Sequence, residues 1–179
     1  MSYLKKAHEF AINAHGAQKR KFIDVDYIIH LEETAQLLWE TTNGEASYEE
    51  YVAALLHDTV EDTEVTLRDI GRNFGKVVMD LVSELTIDED EKNMEGKKSY
   101  LVRVINNMTE KAFTIKLCDR FNNVAGLTDK RIPKDFVKWY VKETQYILEH
   151  LDREITEAQA YMLNRIEKML ILLRLERGL

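Results

Sequence analysis

Chain breakers are scarce. One proline and seven glycines interrupt 179 residues. That is too few for the dense turns of a β-sandwich, and it excludes a collagen-like or Pro/Gly-rich disordered chain. Helices are the expectation, and apolar residues recur at helical spacing. Leu4, Ala7, His8, Ala11, Ile12 and Ala14-His15 share one side of residues 3–16, the pattern of an amphipathic helix. Residues 17–27 lose that period and read as a basic loop. A second helix is expected from Ile28 to Thr42, stopped by Asn43-Gly44.

Ser47 with Glu50 forms a capping-box pattern opening a helix that runs to His57-Asp58. Thr66 with Asp69 repeats it for a short helix over 67–73, and 76–85 reads as the next. Residues 87–96 are charged and weakly periodic and read as a mobile surface loop. Helices are then expected over 97–108, 110–127 and 133–150, with Pro133 in a first turn. A last helix over 153–176, capped by Asp152, carries an apolar stripe of Ile155, Met162, Ile166, Met169, Leu170 and Leu173. No repeat, low-complexity segment or convincing strand is present. The expected fold is all-α, with one domain over 1–130 and a helical extension over 131–179, packed on the domain or on a second subunit.

The net charge of −7 does not favour duplex nucleic acid or an anionic membrane surface as partner. Cys118 is the only cysteine, so no internal disulfide can form. The segment Met1-Ser2-Tyr3-Leu4-Lys5-Lys6 lacks the apolar run of a signal peptide, and no stretch reaches transmembrane length. A cytoplasmic protein is expected.

Chemistry concentrates in Ala53-Ala54-Leu55-Leu56-His57-Asp58-Thr59-Val60-Glu61-Asp62-Thr63. An apolar run meets four ionisable groups at once. If the helix persists, His57 pairs with Glu61 and Asp58 with Asp62 at i, i+4. Adjacent imidazole and carboxylate ligands suit a divalent ion such as Mn, Fe, Zn or Mg. Two further carboxylates one turn on are placed to hold or activate water. A His-Asp pair alone is more often a helix end with a core histidine and solvated acids. The whole segment favours the metal, because an apolar helix buried against four unpaired polar groups is costly.

His30, after Tyr27-Ile28-Ile29, is a third ligand candidate. Asp119, ending the run Thr114-Ile115-Lys116-Leu117-Cys118, is a fourth, and Asn123 shares its helix face. The bland alternatives are an ordinary histidine and an Asp119–Arg120 surface pair. His8 and His15 read as core or rim residues. Lys19-Arg20-Lys21 is a basic cluster suited to phosphates, with Lys97 and Lys98 a weaker candidate.

The order His30, His57-Asp58, Asp119 resembles the HD-domain metal-dependent phosphohydrolases. The strings Ala14-His15-Gly16-Ala17-Gln18-Lys19-Arg20-Lys21, Tyr27-Ile28-Ile29-His30, Ala53 to Thr63, Phe74-Gly75 and Lys116-Leu117-Cys118-Asp119-Arg120-Phe121-Asn122-Asn123 are closer to one branch. They resemble the hydrolase domain of the RelA/SpoT family, whose small stand-alone hydrolases are about this size. The resemblance covers roughly residues 4–127. It implies one Mn²⁺ held by His30, His57, Asp58 and Asp119, and hydrolysis of the 3′-pyrophosphate of ppGpp or pppGpp to GDP or GTP plus pyrophosphate. It also implies that Glu61 and Asp62 position and activate the water, that Arg20 and Lys21 lie near the phosphates or base, and that Asn123 contacts the nucleoside side.

Asp26 and Leu31 stand where that family usually has prolines, the loop before Tyr27 lacks its Ser-Gly, and Cys118 replaces an alanine. The first-histidine loop is therefore expected to sit differently. No synthetase domain is expected in residues 128–179, which are too few and too helical. Two alternatives accompany this reading. One is an HD phosphohydrolase for another nucleotide, such as NADPH or a pyrophosphorylated tRNA end. The other is a catalytically idle nucleotide-sensing module.

Overall fold

The computed structural model describes residues 3–179, so Met1 and Ser2 of the segment read for a leader lie outside it. Eleven helices and no strand are found among these residues: α1 (Tyr3–His15), α2 (Tyr27–Thr41), α3 (Tyr48–Leu56), α4 (Thr59–Asp62), α5 (Leu67–Phe74), α6 (Lys76–Leu85), α7 (Glu89–Glu95), α8 (Lys97–Asn107), α9 (Glu110–Gly126), α10 (Lys134–Glu149) and α11 (Glu157–Arg177). No described helix is long and apolar enough to cross a membrane.

Helix α9 is the axis of the fold. Thr109 caps it by accepting from Ala112 N–H, and every residue from Ala112 to Asn122 is buried. A helix apolar on one face only could not be surrounded in this way; here α2, α3, α6, α10 and α11 all pack on it. Burial extends to Lys116, Asp119, Arg120 and Asn122. Such groups are tolerated inside only when they find partners, so the polar half of α9 marks where chemistry is concentrated.

The stripe on α11 faces α9. Met162, Ile166, Leu170 and Leu173 are buried there, whereas Ile155 precedes the helix and stays exposed. Replacing Ile166, which is 0% exposed, with alanine is expected to destabilise the chain by about 2–5 kcal/mol through lost burial and a residual cavity. Urea unfolding of the variant measures this directly.

Three features differ from the sequence expectation. Residues 89–95 form helix α7 although none is buried. Asp88 accepts from Glu91 N–H at 2.9 Å, three acids occupy the first turn, and Arg103 binds Glu91 and Glu95. Local capping and charge, favourable at a helix N-terminus, replace the missing apolar face. Thr156, not Asp152, caps the last helix, in a reciprocal box with Gln159. Asp152 instead donates its backbone N–H to Asn106 Oδ1. Pro133 sits at the N-cap of α10 rather than inside its first turn.

The loop before α2 holds its shape without the family's proline and glycine. Arg20 N–H donates to the Val25 carbonyl and Tyr27 N–H to the Gln18 carbonyl, forming a short bridge between Lys19 and Asp26. Lys19 Nζ pairs with Asp26 at 2.6 Å and Asp24 at 3.2 Å. Phe22 takes the left-handed conformation at φ 72°, an uncommon choice for a bulky residue. Its ring packs edge-on against Phe136 of α10, with centroids 4.9 Å apart. Leu31, the second proline position, is fully buried.

Candidate metal centre

Three elements deliver four side chains to one point. His30 comes from the first turn of α2, His57 and Asp58 from the junction between α3 and α4, and Asp119 from the middle of α9. Ligand atoms of His30, His57 and Asp119 all lie within 4.8 Å of one another. His30 Nε2 is 3.3 Å from Asp119 Oδ1 and 3.6 Å from Asp58 Oδ2; His57 Nε2 is 3.0 Å from Asp58 Oδ2 and 3.6 Å from Asp119 Oδ1.

The helix does not persist through this segment. His57 Nδ1 lies 2.8 Å from the Ala54 carbonyl, the acceptor that Asp58 N–H would use in a continuous helix. A side chain competing for a ladder carbonyl bends or ends a helix, and α4 restarts at Thr59. The expected i, i+4 pairing of His57 with Glu61 is therefore replaced by convergence of the adjacent His57 and Asp58. A carbonyl only accepts, so Nδ1 carries the proton and the Nε2 lone pair points at the carboxylates.

These groups fit a divalent cation. Neither Nε2 is hydrogen-bonded, although both are buried. Imidazole and carboxylate lone pairs 3.0–3.6 Å apart repel unless positive charge lies between them. The spacing resembles that of ligands sharing an ion with bonds of about 2.1 Å. Protons answer the same need. Burial lowers the pKa of His57, yet Asp58 and Asp119 outweigh it and raise the ring to about 10. Burial likewise opposes ionisation of Asp119, but Lys116 and the two imidazoles hold its carboxyl well below the usual range.

Several partners were not singled out in the sequence. Lys116, one turn before Asp119, is buried with Nζ 3.1 Å from Asp119 Oδ2. Tyr27, one turn before His30, donates its hydroxyl to Asp58 Oδ2 at 2.6 Å. Burial and the charge of Asp58 raise its pKa, so it remains a donor. His15 is buried, stacks on Tyr27 and binds Gln18, whose amide donates to Asp62 Oδ2 at 3.0 Å. The available signal was helical spacing: each of Lys116 and Tyr27 stands three residues before a ligand candidate.

Glu61 and Asp62 sit at the surface beside the cluster, and Glu61 Oε2 accepts from Ile87 N–H at 3.1 Å. Loss of hydration around the Glu61 carboxylate raises its pKa, Lys116 offsets part of this, and Asp58 adds to it. Arg20 donates to Asn123 Oδ1 at 3.1 Å, and Asn123 donates in turn to Asp119 Oδ1. Lys21 is not drawn into that chain; its ammonium lies over Phe22 and Phe136, about 5 Å from each ring centre. Lys97 pairs with the buried Glu143 at 2.9 Å and lies over Trp139, while Lys98 lies over Tyr146. The thiol of Cys118 is buried, which pushes its pKa up to about 12 and leaves it inert.

A cleft of about 970 Å³ opens beside the cluster, with Arg20, Ile29, His30, Glu33, Phe121 and Asn122 among its lining. His57, Asp58 and Asp119 do not line it. Asp58 has access of its own, with its side chain 16% exposed.

Residues 7–154 match the HD domain family. The chain belongs to the HD-domain family. Among relatives of this HD-domain protein, a guanosine-3′,5′-bis(diphosphate) 3′-pyrophosphohydrolase of Aquifex aeolicus is 36% identical over 146 residues, covering 80% of this chain and 20% of that one. The guanosine-3′,5′-bis(diphosphate) 3′-pyrophosphohydrolase MESH1 of Xenopus tropicalis is 35% identical over 123 residues, 68% of each chain. The chain thus spans a fifth of the Aquifex relative and about two thirds of the Xenopus one. A solved metazoan ortholog of SpoT that hydrolyses ppGpp superposes with a TM-score of 0.81, at 22% identity and 96% coverage of both chains. At that identity the likeness concerns the fold. The HD fold implies a divalent metal, and the His30–His57–Asp119 cluster is where this chain offers one a place.

Proposed function

We propose that this HD-domain protein is a Mn²⁺-dependent phosphohydrolase that removes the 3′-pyrophosphate of ppGpp or pppGpp. Water adds at phosphorus, the bond from that phosphorus to the 3′ oxygen breaks, and GDP or GTP leaves with pyrophosphate as the second product. The observation that carries this reading is the convergence of two uncapped imidazole nitrogens and two carboxylates beside Glu61. The names of the Aquifex and Xenopus relatives support the substrate.

His30, His57, Asp58 and Asp119 would hold the ion. A divalent cation there supplies Lewis-acid polarisation of a phosphoryl oxygen and a more acidic water. Glu61 takes the proton from the attacking water, because its raised pKa brings it closer to the working pH than a free glutamate. Asp62, held by Gln18, fixes the water's position. Lys116 and Tyr27 keep Asp119 and Asp58 ionised and oriented. Arg20 presents its guanidinium to the substrate phosphates, Asn123 holds that guanidinium and faces the nucleoside, and Lys21 adds charge at the rim. Residues 131–179 buttress this region: Glu143 of α10 binds Arg120 and Lys97, and α11 covers α9.

Arg20→Ala is expected to raise KM about tenfold or more with a smaller change in kcat, because the guanidinium binds phosphate in ground and transition states alike. Steady-state kinetics on ppGpp checks the split. The deciding experiment is product analysis after incubation with Mn²⁺ and, separately, ppGpp, pppGpp and NADPH. Pyrophosphate with GDP or GTP is the expected outcome. Phosphate from NADPH alone would move the substrate elsewhere in the HD family, and tight binding with no product would make this an idle sensor.

A further inference from the structure

The two histidines at the centre are set by different means. His57 is fixed by a backbone carbonyl, which no substitution can remove. His30 Nδ1 lies 3.1 Å from Asn122 Oδ1, a buried contact between α2 and α9. Asn122 Nδ2 in turn lies 3.0 Å from Glu33 Oε2. Polarity runs one way along this chain. A carboxylate only accepts, so Glu33 draws the amide NH₂ of Asn122 toward itself. That turns Oδ1, which also only accepts, toward His30. The proton must then sit on Nδ1, and the lone pair on Nε2 faces Asp119 and Asp58.

We infer that Asn122 and Glu33 are positioning residues: together they select the tautomer and ring orientation of His30 that a cation requires. The inference rests on the metal-binding part of the proposed function and adds two residues to it. Both Glu33 and Asn122 line the 970 Å³ cleft, so the relay forms part of the wall between that cleft and the centre. The sequence offered no sign of it, since Glu33 and Asn122 are 89 positions apart. Outer partners that orient a ligating histidine typically change metal affinity by roughly 10–100-fold when removed.

The test uses the full chain and metal ions alone, without substrate. Mn²⁺ dissociation constants would be measured by chelator competition for wild type, Asn122→Leu and Glu33→Gln. Long-range ¹H–¹⁵N spectra of the Zn²⁺-loaded proteins would report the tautomer of His30. The expected result is a loss of at least tenfold in Mn²⁺ affinity for Asn122→Leu. Glu33→Gln, whose amide no longer dictates the turn of Asn122, should lose less and show a second His30 signal. Thermal unfolding without metal separates this from misfolding, and Glu33→Gln, on an exposed residue, keeps the test alive if Asn122→Leu fails to fold. Wild-type affinity within twofold in the folded variants, or zinc bound through His30 Nδ1, overturns the inference while leaving the centre intact. A wild-type chain that binds neither ion removes the centre and both readings together.

Discussion

Replacing His57 with alanine is expected to lower Mn²⁺-dependent release of pyrophosphate from ppGpp by on the order of 10³-fold or more. Lewis-acid stabilisation is worth several kcal/mol, and each 1.4 kcal/mol is about tenfold in rate. The loss follows from geometry. His57 Nε2 lies 3.0 Å from Asp58 Oδ2 and 3.6 Å from Asp119 Oδ1, so with His30 it bridges the two carboxylates. Without it, Asp58 and Asp119 face each other with one imidazole fewer to share. The helical scaffold should survive, because the ring sits where α3 already ends. Three measurements separate the causes: turnover, metal per chain after Mn²⁺ loading, and far-ultraviolet circular dichroism. Low turnover with metal well below one per chain and unchanged helicity is the expected combination. Full Mn²⁺-dependent turnover in the variant would sink the assignment.

The second large effect concerns Glu61. Glu61→Gln should reduce kcat by about 10²–10⁴-fold, the usual contribution of a positioned general base, while leaving metal content near wild type. A pH profile sharpens this. The base acts when deprotonated, so wild-type kcat/KM should fall as pH drops through the carboxyl's pKa. Loss of hydration, offset in part by Lys116 and reinforced by Asp58, places that inflection above the ordinary value for glutamate of 4.5. The variant should lose this acid limb. If it persists, or if kcat stays within threefold of wild type, Asp62 becomes the better candidate, and Asp62→Asn would then show the loss.

The helices and most of their ends were legible because their signals are local. Thr66 with Asp69 builds a complete capping box, and Asn43-Gly44 follows the end of α2. Helix α7 was missed because the strongest sequence signal is apolar periodicity, and a helix with no buried face has none. Asp152 was a reasonable cap by residue type, but the helix begins only at Glu157, where Thr156 and Gln159 complete a reciprocal box, and the Asp152 N–H is held by Asn106, 46 positions away. Two candidate caps stood close together, and the packed chain places the helix start at the second.

The same division holds at the site. The sequence alone determined an all-α chain, which residue types carry metal chemistry, and that Asp119 and Asn123 share a helix face, because these depend on composition and on spacing within one turn. Only the tertiary structure decided that α2, α3 and α9 meet, that Tyr27 braces Asp58, and that Glu33 reaches His30 through Asn122. Such contacts join positions 31 to 92 residues apart. They form only when packing around α9 brings those helices within hydrogen-bond reach, and no local pattern encodes that distance.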